Sequence, residues 1–157
     1  MIVGLWVVGL ALGTLLVNNH LERQHNPNNK VVTSIDGDKR SITLQRGRYG
    51  HYRVTGTING AQTAFLVDTG ATSVSIPEDV ALRAGLTRGA EIAISTANGI
   101  GVAYRTRIDQ LRIGDLEIRN ATAHINPGLS DEVLLGMSVL KHYELLQKGD
   151  QLVIREP

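Results

Sequence analysis

The sequence predicts an all-β domain, a small closed or folded-over β-barrel with one or two short helices, preceded by an N-terminal transmembrane helix. Three observations carry this expectation. Short segments rich in Val, Ile and Thr alternate with turn pairs such as Asn59-Gly60, the strongest short hairpin signal. Only two short segments, 77–84 and 136–142, have helical character. The first 17 residues are almost entirely apolar.

The composition excludes several kinds of binding and catalytic site. The chain has 157 residues, enough for one domain and an appendage. Its formal net charge is +1 and its basic residues are scattered, so no nucleic-acid-binding surface is expected. Because there is no Cys, thiol catalysis, Cys-based zinc sites and disulfides are excluded.

The chain divides into three parts. Residues 1–17, MIVGLWVVGLALGTLLV, predict a transmembrane anchor, since neither a basic start nor a small-x-small cleavage site is evident. A cleaved signal peptide is the alternative. Residues 18–30 are polar and Asn-rich and predict a flexible tether, and residues 31–157 form the folded domain. Arg23 and Lys30 follow the apolar segment and weakly favour a cytoplasmic domain.

The domain reads as strands joined by tight turns. Hairpins are predicted around Asp36-Gly37-Asp38, Asn59-Gly60 and Asn98-Gly99. The predicted strands are 31–35, 41–44, 51–58, 61–67, 91–96, 100–113, 116–125 and 151–154. Such regular spacing of short strands is typical of a barrel or sandwich.

One stretch suggests catalysis: FLVDTGATSVSIP, residues 65–77. Asp68 follows an apolar strand and would lie beside the core, where an ionised carboxylate needs hydrogen-bond donors. Thr69 offers a hydroxyl, and Gly70 permits a tight turn. An ordinary Asx turn is the plainer alternative. By contrast, the histidines at 51, 124 and 142 are interpreted as structural residues of the sheet.

Four motifs in order resemble one family. Residues 65–72, FLVDTGAT, look like an active-site loop, and residues 50–52 with Asn59-Gly60 look like the hairpin that enters it. Residues 95–99 occupy the place of a flap, and residues 134–138, LLGMS, resemble the segment that runs beside the loop. The chain thus resembles the retropepsin-like aspartic proteases, in particular their small membrane-anchored bacterial branch.

The resemblance implies a role for each motif. Asp68 would be catalytic, with no metal and no cofactor. The loop would be supported by Thr69, Gly70, Ala71 and Thr72. The flap over the substrate would contain Thr96, Ala97, Asn98, Gly99 and Ile100. The segment backing the loop would contain Leu134, Leu135 and Gly136.

The predicted function is peptide-bond hydrolysis by an aspartic endopeptidase. This chemistry uses two carboxylates around one water, and the chain has a single Asp-Thr-Gly. The second carboxylate would therefore be Asp68 of another copy, which predicts a homodimer acting on protein or peptide substrates. The family resemblance places the domain in the periplasm, on a single-pass inner-membrane anchor. The alternative is a catalytically silent dimeric module that binds peptides or serves as a scaffold at the membrane.

Overall fold

A computed structural model describes residues 2–96 and 99–157. In chain order, its elements are α1 (Ile2–His25), β1 (Thr33–Asp36), β2 (Lys39–Gln45), β3 (Arg53–Ile58), β4 (Ala61–Val67), β5 (Val74–Ile76), α2 (Glu78–Arg83), β6 (Glu91–Thr96), β7 (Gly99–Ile113), β8 (Leu116–Ile125), β9 (Val133–Leu135), α3 (Met137–Leu140), β10 (Glu144–Lys148) and β11 (Gln151–Arg155). The prediction of an all-β domain with short helices is confirmed.

The larger sheet closes into a barrel. Its strand order is β3-β4-β9-β5-β8-β7-β6, and pairing of β3 with β7 closes the first six of these strands on themselves. The β3–β4 hairpin turns at Asn59 and Gly60, whose φ angles of 48° and 84° are those of the mirror-image turn that fits twisted strands. Strand β6 pairs with β7 beyond the closed barrel, so this hairpin is free to extend over one end.

A second sheet packs beside the barrel and completes the core. Its order is β1-β2-β11-β10, and its antiparallel register sets Leu44 of β2 opposite Leu152 of β11. Ile42 and Leu44 are almost fully buried and belong to one apolar cluster with barrel residues such as Phe65 and Ile108. Burial of this continuous cluster is the main stabilising contribution, because each large apolar side chain adds about 1.5–3 kcal/mol.

Helix α1 covers the segment for which the sequence predicts a membrane anchor. Its apolar side chains Trp6, Leu10 and Leu16 are largely exposed. Across the part of the chain that the structure describes, however, no helix reaches the length and apolarity that crossing a membrane requires. The anchor over residues 1–17 stays a prediction.

The segment after the apolar residues differs from the flexible tether predicted over 18–30. It is helical up to His25 and then docks on the barrel through Asn28, which is only 4% exposed. The Asn28 amide donates to the carbonyls of Gln45 and Arg53 at 2.8 and 2.7 Å, and its Oδ1 accepts from the Gln45 N–H at 2.7 Å. The sequence of residues 18–30 shows only that the segment is polar, which is why it was predicted to be a flexible tether. The buried carboxamide instead pairs strand-end groups that would otherwise lack partners.

Candidate active site

Asp68 lies at the start of the loop that joins β4 to β5. Its N–H donates to the Leu135 carbonyl at 3.1 Å, which extends the parallel pairing of β4 with β9 by one residue. Its carboxylate is half-buried, and Oδ1 accepts from the Gly70 N–H at 2.8 Å. A Cβ added to Gly70 would lie 3.1 Å from that oxygen, so a larger residue would press on the carboxylate. The loop holds Asp68 with its own backbone.

Residues 136–138 lie against this loop. The N–H groups of Met137 and Ser138 donate to the carbonyls of Ala71 and Thr72 at 2.8 and 2.9 Å. Gly136 allows this close approach: a Cβ there would lie 2.3 Å from the Ser73 carbonyl oxygen and 2.7 Å from that of Ala71. Since real Cβ atoms do not come so close, only glycine fits without moving the loop.

Asp68 opens onto a groove of about 750 Å³. The loop, the ends of β5, β8 and β9, and strand β6 line it. Its lining residues are Asp68, Gly70, Ala71, Thr72, Ser73, Ser75, Ile92, Ala93, Ile94, Ser95, Thr96, His124, Asn126 and Leu134. Among the described residues that line the groove, only Asp68 has a carboxyl group. The groove is therefore an open cleft with a single acid and an aliphatic strand on one side.

The structure places only some of the predicted site residues in the groove. Thr69 and Thr72 are exposed on the loop, and Leu134 lines the groove while Leu135 is buried behind it. At the flap, Thr96 lines the groove and its hydroxyl donates to the Gly99 carbonyl at 2.8 Å. Gly99 and Ile100 are exposed and are not part of the lining. The predicted flap residues Ala97 and Asn98 lie outside the described residues.

Sequence reasoning missed a polar cluster in the groove. His124, interpreted as structural, lies on β8 with Nδ1 at 2.7 Å from the Ser73 hydroxyl. Ser75 is 4% exposed, and its hydroxyl has no hydrogen-bond partner among residues 2–96 and 99–157. The alternation of Ser73 and Ser75 after the loop was a usable signal that both face one side of the strand. Nothing in the sequence placed His124 beside them, because the contact joins residues 51 positions apart.

The electrostatics of the groove are simple. Partial burial lowers the pKa of His124, so its imidazole is neutral over a wider pH range than that of an exposed histidine. Among the described residues that line the groove, Asp68 is the one acidic side chain and His124 the one imidazole. Within residues 2–96 and 99–157, no cluster of three His, Asp or Glu side chains is placed to hold a metal ion.

Comparison with known proteins gives matches to one family and to a solved structure. The family model described as "gag-polyprotein putative aspartyl protease" matches residues 54–142, more than half of the chain and including the Asp68 loop. The crystal structure of a retropepsin-like aspartic protease from Rickettsia conorii superposes with a TM-score of 0.62 at 25% identity, over 81% of this chain and 95% of that one.

Two curated proteins are also similar in sequence. The uncharacterized protein in cobV 5'region of a Sinorhizobium species is 32% identical over 131 residues, which cover 80% of this chain and 56% of that protein. An uncharacterized protein of Rickettsia prowazekii strain Madrid E is 29% identical over 120 residues, covering 72% of this chain and 50% of its own length. The chain thus spans about half the length of the curated relatives it matches.

Proposed function

Because the chain belongs to the gag-polyprotein putative aspartyl protease family and has the retropepsin-like fold, we propose that it is an aspartic endopeptidase whose catalytic residue is Asp68. The observation that carries the proposal is the position of Asp68: a half-buried carboxylate, fixed by its loop, at an open groove of about 750 Å³. Thr69, Gly70, Ala71 and Thr72 would support it, and Leu134 to Gly136 would back the loop.

The mechanism needs two carboxylates. One, ionised, takes a proton from a water as that water attacks the scissile carbonyl carbon, and the other, protonated, gives its proton to the carbonyl oxygen, which forms a gem-diol intermediate. The C–N bond then breaks as the first carboxyl passes its proton to the leaving amine nitrogen, and the second carboxylate takes a proton from a hydroxyl of the intermediate, which restores the pair and leaves a carboxylic acid and an amine. Two carboxyl groups so close share one proton and titrate as a unit. The pair supplies general base and general acid at once, which removes the need for a metal or cofactor.

The second carboxylate would come from another copy of the chain. The groove lining in the described residues offers one acid, and the loop residues next to it, Thr69 and Gly70, are exposed. A two-fold axis beside this loop would bring the two Asp68 carboxylates together, since an isologous contact repeats each residue. In such a homodimer the β6–β7 hairpins would cover a bound peptide and exclude water.

The test is peptide cleavage by the full-length protein and by an Asp68→Asn variant. Asn has the same shape and still accepts the Gly70 N–H, so the fold is kept while the general base is lost. Proton transfer by a positioned group contributes about 10²–10⁴-fold, and we expect a loss of at least that size. Asp109→Asn is the matched control, because Asp109 is exposed on β7 and outside the groove.

Retained cleavage by Asp68→Asn would contradict the proposal. If neither the wild type nor Asp109→Asn cleaves any peptide but both bind peptides in the groove, the protein is instead a silent peptide-binding module.

We also propose that residues 1–17 anchor the protein as a single pass in the inner membrane, with residues 31–157 in the periplasm. The support is the apolar sequence of that segment and the family resemblance, while Arg23 and Lys30 weakly favour the opposite orientation. Fractionation followed by protease treatment of spheroplasts tests this. Recovery in the soluble fraction would contradict the anchor, and a membrane-bound domain that resists digestion would contradict the orientation.

A further inference from the structure

The groove contains a group whose hydrogen bonding is incomplete. Ser75 is 4% exposed, and its buried hydroxyl has no hydrogen-bond partner in the part of the chain that the structure describes. A buried polar group left unpaired is destabilising, so each such group in a folded protein needs an explanation, and a bound partner is one of them. Ser75 is also one of the residues that line the groove, and its Oγ, which has almost no accessible surface here, would meet a bound group by turning toward the groove.

Three polar side chains lie together at this point. Ser75 of β5 is in register with His124 of β8, and directly paired residues project from the same face of a sheet. Ser73, two residues before Ser75, reaches the same imidazole with its hydroxyl at 2.7 Å from Nδ1. Leu134 of β9 is the register partner of Ser75 on its other side and limits the pocket with an apolar wall. Ser73, Ser75 and His124 are called the polar pocket below.

The side chains of the polar pocket are uncharged in the favoured form and can both donate and accept hydrogen bonds. Burial lowers the pKa of His124, which favours the uncharged imidazole. A neutral imidazole donates through one nitrogen and accepts through the other, and a hydroxyl such as that of Ser75 does both. A ligand group that also donates and accepts satisfies this set, whereas a charged group would lose its hydration without an opposite charge in the pocket. An aliphatic group would leave the Ser75 hydroxyl unpaired.

We infer that the polar pocket selects the substrate, taking an uncharged polar side chain of the peptide, from Ser, Thr, Asn or Gln, at one position near the scissile bond. The pocket shares its groove with Asp68, and Ile92 and Ile94 of β6 line the same groove with aliphatic surface. Neighbouring positions of the peptide would therefore meet apolar walls, and this position would be the polar one. The inference rests on the proposed function, since it names the substrate class of that site.

The experiment compares peptides matched in shape. Libraries with Thr against Val, and Asn against Leu, at each position around the cleavage site are incubated with the full-length protein. At one position we expect the polar peptide to be cleaved about tenfold faster, as expected for one satisfied buried hydrogen bond. In Ser75→Ala the Thr-to-Val ratio should fall close to one, and Ser73→Ala, whose side chain is less buried, should lower it as well.

The control is Ser34→Ala, because Ser34 is an exposed residue of β1 outside the groove, and its ratio should equal that of the wild type. A preference for Val and Leu at every position would overturn the inference while leaving the endopeptidase proposal intact. The same holds if both pocket variants keep the wild-type ratio. The wild-type comparison needs no variant, so misfolding of Ser75→Ala does not remove the test.

Failure of the proposed function looks different, because then no peptide of any series is cleaved. In that case the same fluorescently labelled peptides are titrated against wild type and Asp68→Asn by anisotropy. Tighter binding of the Thr peptide than of the Val peptide, lost in Ser75→Ala, would support the polar pocket without catalysis. Equal binding, or none, would overturn it.

Discussion

Gly136→Ala tests how the backbone positions Asp68. The added Cβ would lie 2.3 Å from the Ser73 carbonyl oxygen, where ordinary contact begins at 3.4 Å, so the loop has to retreat by about 1 Å. Overpacking of this kind costs about 1–3 kcal/mol. The retreat also weakens the hydrogen bonds from Met137 and Ser138 to the loop, each worth about 1 kcal/mol. We expect the free energy of unfolding to fall by about 2–4 kcal/mol.

Activity should fall as well, because Asp68 begins the loop that moves. A displacement of about 1 Å at a reacting group costs on the order of 100-fold in rate. The assay is urea denaturation followed by circular dichroism, together with peptide cleavage measured per folded molecule. These two readouts separate lost stability from a misplaced carboxylate.

Gly56→Ala is the matched control. Its Cβ would lie 2.3 Å from the Arg112 carbonyl oxygen and 2.9 Å from the ring of Phe65, so the clash is as severe, but it touches no residue of the 68–73 loop. It should lower stability while the folded fraction keeps its activity. If folded Gly136→Ala is as active as the wild type, Gly136 does not set the position of Asp68, and the reasoning about the loop is refuted.

Two further predictions concern the N-terminal connection and the second sheet. Asn28→Ala removes three partly buried hydrogen bonds to Gln45 and Arg53, so we expect the free energy of unfolding measured by urea titration to fall by about 2–4 kcal/mol; unchanged stability would mean that the segment does not dock. The hydrogen bonds and charge of Arg40 lower the pKa of Glu156 below its usual 4.5. The pair therefore stabilises the fold above about pH 4.5, and this stabilisation is lost as the pH falls through the lower pKa of the folded state. Glu156→Gln should therefore melt below the wild type at neutral pH, and the difference should shrink as the pH falls through the folded-state pKa of Glu156; a difference that stays constant down to acid pH would contradict the assignment.

The hairpins were readable from the sequence because their signals are local. Strands β4, β6 and β8 begin and end where the alternation and the turn pairs predicted, and β7 begins one residue earlier. Asn59-Gly60 illustrates why: two residues able to adopt positive φ fix the turn and so the register of both strands.

The short strands β5 and β9 were harder to predict. Strands β5 and β9 have three residues each, too few for a periodicity, and their pairing depends on a loop whose fit is set by Gly136. Strand β10 also escaped prediction, because its pattern of exposure lacks a buried face. The docking of Asn28 and the contact of Ser73 with His124 are long-range. A polar residue in a polar stretch carries no local sign that it will be buried.

The central claim is that one Asp68 is half of a catalytic pair, and mixing wild type with Asp68→Asn tests it most directly. The two full-length proteins are dissociated, mixed at known ratios at constant total concentration, reassociated and assayed for cleavage. If both carboxylates are needed, mixed dimers are inactive and activity follows the square of the wild-type fraction, falling to about one quarter at equal amounts. Activity that falls only in proportion, to about one half, would show that a single chain carries a complete site and would contradict the account.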